Sequence, residues 1–403
     1  MRRSAGIDIA SQTHVLAVVL TESQEILVKP TSFQEDAAGY DKALGLLGSP
    51  DDVLVGMEAT GHYGRNLHRA LCERGYRVAV LNPVRTHRFA LEDLERAKTD
   101  AINALGVARF VAQKRPSPNL PFDDATEQIR EFVRLFDRLT QDAGDRARQI
   151  HRLVDLGFPE FTRHVPNVRT QRAAAILAAY PSARALSPSC LDALAALRYD
   201  GSHRVGKALA QALVAAAQAS VGRHHGPGHQ LAMRYFCEDL DHIRVQLHAI
   251  KTEIERRVAE HPVGSALTTI DGLGVIGVAR IIAAVGDPAR FRSGAALAAY
   301  VGAVPATNRS GLWAARRPGL SRLGNARLRR ALYMTILGAV RRNAWLAAYY
   351  QRLIANGKLP KIALMASMRK LLMAVYRVAR TRQPFVARLP KQGQEETRVP
   401  TTK

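Results

Sequence analysis

Ala5–Leu20 reads AGIDIASQTHVLAVVL. One acid, Asp8, interrupts a short apolar run; a polar stretch follows, then a longer apolar run from His14 to Leu20. Short apolar runs rich in β-branched residues and bounded by turn formers predict strands. Glu25–Val28 supplies a third, so the first three strands are expected to form an antiparallel meander. Outward from there, Phe33–Leu47 has helical spacing. Val53–Met57 is a buried strand ended by Glu58 and Ala59-Thr60-Gly61, and a helix follows to about Glu73. Arg77–Leu81 is a fifth strand closed by Asn82-Pro83, and Lys98-Thr99-Asp100 opens a helix to about Gln113.

Three strands, then helix, strand, helix, strand, helix is the order of a ribonuclease-H-like α/β sheet. Two acids stand out within it. Asp8 lies inside an apolar strand and Glu58 follows directly on another. A carboxylate amid buried strand residues is costly unless it has a partner or a metal. In this arrangement the two strands are neighbours and the last helix brings Asp100 across them. Three carboxylates spaced about 5 Å apart would repel by about 3 kcal/mol per pair at an effective dielectric near 20. A divalent cation removes that penalty, and all-oxygen ligands select Mg²⁺ or Mn²⁺. By itself, Asp100 also reads as a solvated first-turn acid favoured by the helix dipole.

The chain has 403 residues, enough for two or three domains. With 58 Lys and Arg against 35 Asp and Glu, its net charge is +23, and the pI is about 10.6. This balance points to a polyanionic partner, nucleic acid ahead of an anionic membrane surface. Cys72, Cys190 and Cys237 lack zinc-ligand spacing and an odd number argues against a disulfide framework. A reducing cytoplasm fits. No apolar run approaches the roughly 20 residues that span a bilayer, and MRRSAGIDIA has no signal-peptide core.

Pro116–Asp123 is a proline-bearing linker, after which the pattern is almost wholly helical. One coiled-coil-like seam runs through Ile129, Phe132, Phe136, Leu139, Ala143, Ile150 and Leu153. A second runs through Phe236, Leu240, Ile243, Leu247, Ile250, Ile254 and Val258. The two helices pair either with each other or across a dimer. Between them Phe161–Gly226 reads as a helical insert, and His224-His225-Gly226-Pro227-Gly228-His229 reads as a solvated loop rather than a metal site. Thr268–Gly286 (TTIDGLGVIGVARIIAAVG) resembles a helix-hairpin-helix, in which Gly272 and Gly274 permit a turn whose amides can hold a phosphate. A short helix, Ala295–Tyr300, leads into a loop with no helical or strand period. That loop carries Ser310-Gly311 among Arg309, Arg316, Arg317, Arg322, Arg327, Arg329 and Arg330; Ser321 lies further along. A hydroxyl ringed by guanidinium groups suits attack on a phosphodiester, although a Ser-Gly turn on a basic surface has the same composition. Ala326–Arg342 buries a stripe through Leu328, Leu332, Ile336 and Val340, and Lys361–Arg380 forms the last helix. From Arg382 the chain is polar and expected to be disordered.

Six segments occur in order: GIDIA with Asp8, GMEATG with Glu58, AKTDAINA with Asp100, DGLGVIGVARIIAAVGDPARF, LAAYVGAVP, and RSG followed by LSRLGNARLRRAL. Together they resemble the DEDD transposases of the insertion-sequence one-ten family, from residue 5 to about 380. The resemblance implies a RuvC-like domain over 1–115, coiled-coil helices over 123–262 with an insert at about 160–226, and a C-terminal transposase domain over 263–381. A tail follows over 382–403. It further implies a recombinase that moves its own element by cutting and rejoining double-stranded DNA through a phosphoserine link, guided by a structured non-coding (bridge) RNA and acting as a homo-oligomer. Carried over by motif, the nucleophile is Ser310 and the Mg²⁺-binding acids are Asp8, Glu58 and Asp100; Arg309 and Arg327, near that serine in the sequence, are candidate phosphate clamps. The family's fourth acid lies one turn after the third, where this chain has Asn103, which can ligate through oxygen but brings no charge. The competing expectations are a metal-only nuclease acting on branched DNA and a non-catalytic nucleic-acid-binding derivative. The net charge and the lack of a later glycine-rich adenosine loop argue against a sugar-kinase-like enzyme.

Overall fold

Every other residue of the first strand faces one layer of helices, and this alternation builds the N-terminal unit. The structure is a computed structural model that describes residues 2–59, 61–92, 99–304 and 324–387, with the backbone alone at 309–310 and 313–314. It divides into two compact units, Met1–Asp123 and Asp124–Lys403.

In the first unit β1 (Arg3–Asp8), β2 (Thr13–Leu20) and β3 (Ile26–Gln34) form the antiparallel meander. After α1 (Ala37–Leu47), strand β4 (Val53–Glu58) runs parallel to β1. After α2 (Arg65–Glu73), β5 (Arg77–Leu81) runs parallel to β4. The strand order is β3-β2-β1-β4-β5. Two further helices, α3 (Pro83–Glu92) and α4 (Asp100–Lys114), complete the unit. Ala5, Ile7 and Ile9 with Val53, Val55 and Met57 pack on one face against Ala43 and Leu47 of α1 and Leu67 and Leu71 of α2. The opposite face meets α4 through Val107, Phe110 and Val111.

Two details differ from the sequence expectation. The helix expected from Phe33 begins at Ala37, because Phe33 is a buried strand residue paired with His14 and the Asp36 carboxylate accepts the Gly39 N–H to cap the helix. Helix α3 was not expected at all; Pro83 opens it and Asn82 accepts the Val84 N–H.

The second unit is helical. Its long helices α5 (Asp124–Gly157) and the later α10 (Pro227–Glu260) pair with each other within the chain. Between them lie α6 (Phe161–His164), α7 (Gln171–Ala179), α8 (Leu191–Ala196) and α9 (Lys207–Gln218). Beyond α10 come α11 (Gly264–Thr268), α12 (Val275–Val285) and α13 (Gly294–Val301). Next is a two-residue pairing of β6 (Arg309–Ser310) with β7 (Trp313–Ala314). The chain then forms α14 (Ala326–Arg342), α15 (Ala344–Ala355) and α16 (Pro360–Thr381). The helical pair carries two cores. Ile150, Leu153 and Leu240 join the insert core, whereas Ile129, Val133, Ile254 and Val258 join the core of α11–α16. No helix among the described residues is long and apolar enough to cross a membrane.

Candidate functional site

A pair of glycines sets the acidic site. Gly6 of β1 lies beside Gly56 of β4 in the parallel ladder. A Cβ built on Gly6 would stand 2.2 Å from the Ala104 carbonyl oxygen and the Ala108 nitrogen; one on Gly56 would stand 2.3 Å from Val111 Cγ2. Bare backbone therefore lets α4 cross directly against the sheet. Two residues further along the same face, the strands end in Asp8 and Glu58, and the first turn of α4 brings Asp100 and Asn103. Thr99 caps that turn by accepting the Ile102 N–H at 3.3 Å.

Asp8 is half-buried and Asp100 is exposed. Asn103 Nδ2 donates to Asp8 Oδ2 at 3.1 Å. Burial raises the Asp8 pKa above its ordinary 3.8; the Asn103 hydrogen bond works against this, and the charges of Asp100 and then Glu58 add to the rise. Asp8 thus feels both other carboxylates. Among the described residues, however, no three His, Cys, Asp or Glu side chains converge tightly enough to grip one ion. The donor set itself suits a hard divalent cation: three carboxylates, and an amide that presents oxygen once turned by half a rotation.

Two supporting groups escaped the sequence reading. The buried Thr86 of α3 donates its hydroxyl to Glu58 Oε1 at 2.5 Å, and its only sequence cue was the Asn-Pro helix start before it. His14, fully buried on β2, accepts the Ala10 N–H at Nδ1 (3.3 Å) and bonds Glu35 through Nε2 (2.6 Å). Glu35 also accepts from Asn66 at 3.2 Å. Burial pushes the Glu35 carboxyl up, but hydrogen bonds from His14, Tyr40 and Asn66 outweigh it and hold the pKa below its ordinary value. This network fixes the turn that follows Asp8.

The segment expected to be an irregular loop carries the β6–β7 pairing, with Ser310 opposite Trp313. Arg309 and Ser310 are described by backbone only, and Arg316, Arg317, Ser321 and Arg322 lie outside the described residues. The segment's two ends are pinned together, since the Asn325 N–H donates to the Tyr300 carbonyl at 2.7 Å. Arg327 Nη2 lies 3.4 Å from Asp137 Oδ2, and Arg329 donates to the Val301 carbonyl at 3.0 Å. Arg330 is on α14 and exposed. Gly272 packs against Ala339 of α14, while Gly274, the residue before α12, faces open space. In the histidine-rich stretch, His229 bonds the Pro181 carbonyl at 3.1 Å and His225 bonds Arg184 at 2.7 Å.

Two family models match the chain, one described as "Transposase" over residues 5–159 and one as "Transposase IS116/IS110/IS902 family" over 264–351. The chain belongs to this transposase family. It is 25% identical to an insertion element IS110 protein of 43.6 kDa from Streptomyces coelicolor, over 96% of each chain. It is also 25% identical to a pilin gene-inverting protein of Moraxella bovis, over 83% of this chain and 82% of that one. An insertion element IS900 protein of 42 kDa from Mycobacterium paratuberculosis is 26% identical, over 93% of this chain and 95% of that one. As a transposase of this family, the protein is an enzyme that cuts and rejoins DNA. The acidic site lies wholly within the first matched region, and Ser310 within the second.

Proposed function

We propose that this transposase moves its element through a phosphoserine intermediate formed by Ser310, with the acids of a ribonuclease-H-like domain holding a divalent cation. The observation that carries the acidic half is the shared face of Gly6-x-Asp8 and Gly56-x-Glu58, closed by the Asn103–Asp8 hydrogen bond. Asp8, Glu58, Asp100 and the amide oxygen of Asn103 would hold the ion, and Mg²⁺ or Mn²⁺ would supply Lewis-acid stabilisation of phosphate charge. Thr86 and the His14–Glu35 pair keep Glu58 and the turn after Asp8 in place. Ser310 attacks a DNA phosphate, its oxygen bonding phosphorus as the 3′ or 5′ oxygen leaves. Arg309 and Arg327 neutralise the phosphoryl oxygens. The new ester preserves the phosphodiester bond energy, so the strand can be resealed without a nucleotide cofactor. Residues 123–262 then act as a helical arm with its insert and 263–381 as the serine-bearing domain, working in a homo-oligomer with a structured guide RNA. The net charge of +23 supports partners of this kind.

Ser310→Ala tests this directly. On a denaturing gel, wild-type protein with element-end DNA is expected to give a covalent protein–DNA band that the variant lacks. A band that persists assigns the link to another residue; cleavage that needs Asp8 but ignores Ser310 makes the enzyme a metal-only nuclease.

A further inference from the structure

A cavity of about 230 Å³ opens in the second unit among α5, α12, α13 and α14. That is space for about seven waters at roughly 30 Å³ each, enough for one phosphodiester group with its first waters. Four guanidinium groups line it: Arg130 and Arg134 from α5, Arg280 from α12 and Arg327 from α14. One acid lines it too, Asp137 of α5. Arg280 donates to Asp137 Oδ1 from Nε at 3.2 Å and from Nη2 at 2.7 Å, while Arg327 approaches Oδ2 at 3.4 Å. Arg130 and Arg134 pair along their own helix with Glu127 at 3.0 Å and Glu131 at 2.7 Å. The cavity stays net positive even with those two acids counted.

A forked guanidinium fits a carboxylate and a phosphate in the same way. Asp137 therefore stands where an incoming anion would be bound. Tyr300 and Asn325, which pin the two ends of the Ser310-bearing segment, form part of the same wall. We infer that this cavity is a backbone-phosphate site for the nucleic acid whose strand Ser310 attacks, and that Asp137 holds its arginines in place until a phosphate displaces it. The strand-holding purpose rests on the serine chemistry proposed above; the existence of the site does not.

The test uses full-length protein and a fluorescent DNA duplex, with an RNA duplex of the same sequence in parallel, across a potassium chloride series. Asp137→Asn removes the competing carboxylate but keeps a hydrogen-bond acceptor, and is expected to tighten DNA binding by about three- to tenfold. Adding Arg280→Gln to Asp137→Asn removes both the carboxylate and the guanidinium that grips it through two nitrogens. This double variant is expected to bind about tenfold more weakly than Asp137→Asn alone and to lower the slope of log affinity against log salt by about 1. Arg134→Gln, more exposed, is the milder check should the double variant fold poorly. An effect on the RNA duplex alone keeps the phosphate site and assigns it to RNA. If Asp137→Asn weakens binding or leaves it unchanged on both duplexes while the protein stays folded, the group is a structural ion pair and the proposal is overturned. Binding is read without strand cutting, so an adduct that survived Ser310→Ala would sink the serine assignment and leave this measurement standing.

Discussion

Asp8 carries the strongest electrostatic demand in the acidic site. Its carboxyl holds a proton to higher pH in the folded chain than in the unfolded one, through burial and then through the Asp100 and Glu58 charges. The folded state therefore binds more protons across the interval between 3.8 and the raised pKa, and stability falls as the pH climbs through it. At neutral pH the ionised cluster is destabilising until a cation offsets it. Asp8→Asn is thus expected to raise the melting temperature of metal-free protein at pH 7 and to abolish any further rise on adding Mg²⁺. A variant that melts lower than wild type without metal, yet still responds to Mg²⁺, would show that Asp8 is not a ligand. Asn103→Asp tests the same site from the other side: it replaces a donor to Asp8 with a fourth charge. Melting without metal should come earlier and the Mg²⁺-induced rise should grow, by about 1 kcal/mol or more for a like charge close by. Asp8 and Glu58 were legible because one interrupts an apolar strand and the other directly follows one. Thr86 and His14 were not: a threonine on an unexpected helix and a histidine in a hydrophobic run carry no pattern until the fold brings Glu58 and Glu35 to them.

Elements were legible where a hydrophobic period was long and its boundary was marked. Four of the strands and α4 were of this kind, whereas β3 runs on to Gln34, past the expected Val28. Helix α15 was missed for a physical reason. Asn343 ends α14 and caps α15 in one step, accepting the Leu346 N–H at 3.2 Å while its own amide donates to the Asp271 carbonyl at 2.7 Å. No glycine or proline marks that corner. The crossing of α4 over β1 and β4 is equally silent in propensity and depends on Gly6 and Gly56. Their expected costs differ. A methyl at Gly6 meets helix backbone, which cannot move without shifting α4 whole, whereas one at Gly56 meets the end of the Val111 side chain. Gly6→Ala should cost about 3 kcal/mol or more, and Gly56→Ala about 1–2 kcal/mol. Urea unfolding of the two variants decides this, and an equal or reversed order would mean that α4 does not rest on Gly6 as described.

Across the second unit, the α5–α10 pair acts as a shared spine for two cores. On α5 the buried residues stop at Val133 and resume at Ala147; on α10 they stop at Ile243 and resume at Ile254. Partly buried side chains fill the stretch between, and the Arg146–Asp239 ion pair stands at its edge, beside Ala147 and Leu240. The two seams were visible in sequence, and pairing within the chain accounts for them; that each seam would serve a different core at either end was not, because heptad spacing is blind to what lies across it. Cores joined, among the described residues, through such a waist should behave as separate sites. Leu213→Ala, in the insert core, and Ile282→Ala, in the core of α11–α16, should each cost about 2–5 kcal/mol. Combined, their costs should add to within about 0.5 kcal/mol, as distant sites without shared partners do. The readout is chemical denaturation of the full chain followed by circular dichroism. A coupling well above that margin would mean that the helical pair transmits packing from one core to the other, and that the insert and the serine-bearing helices form a single cooperative block.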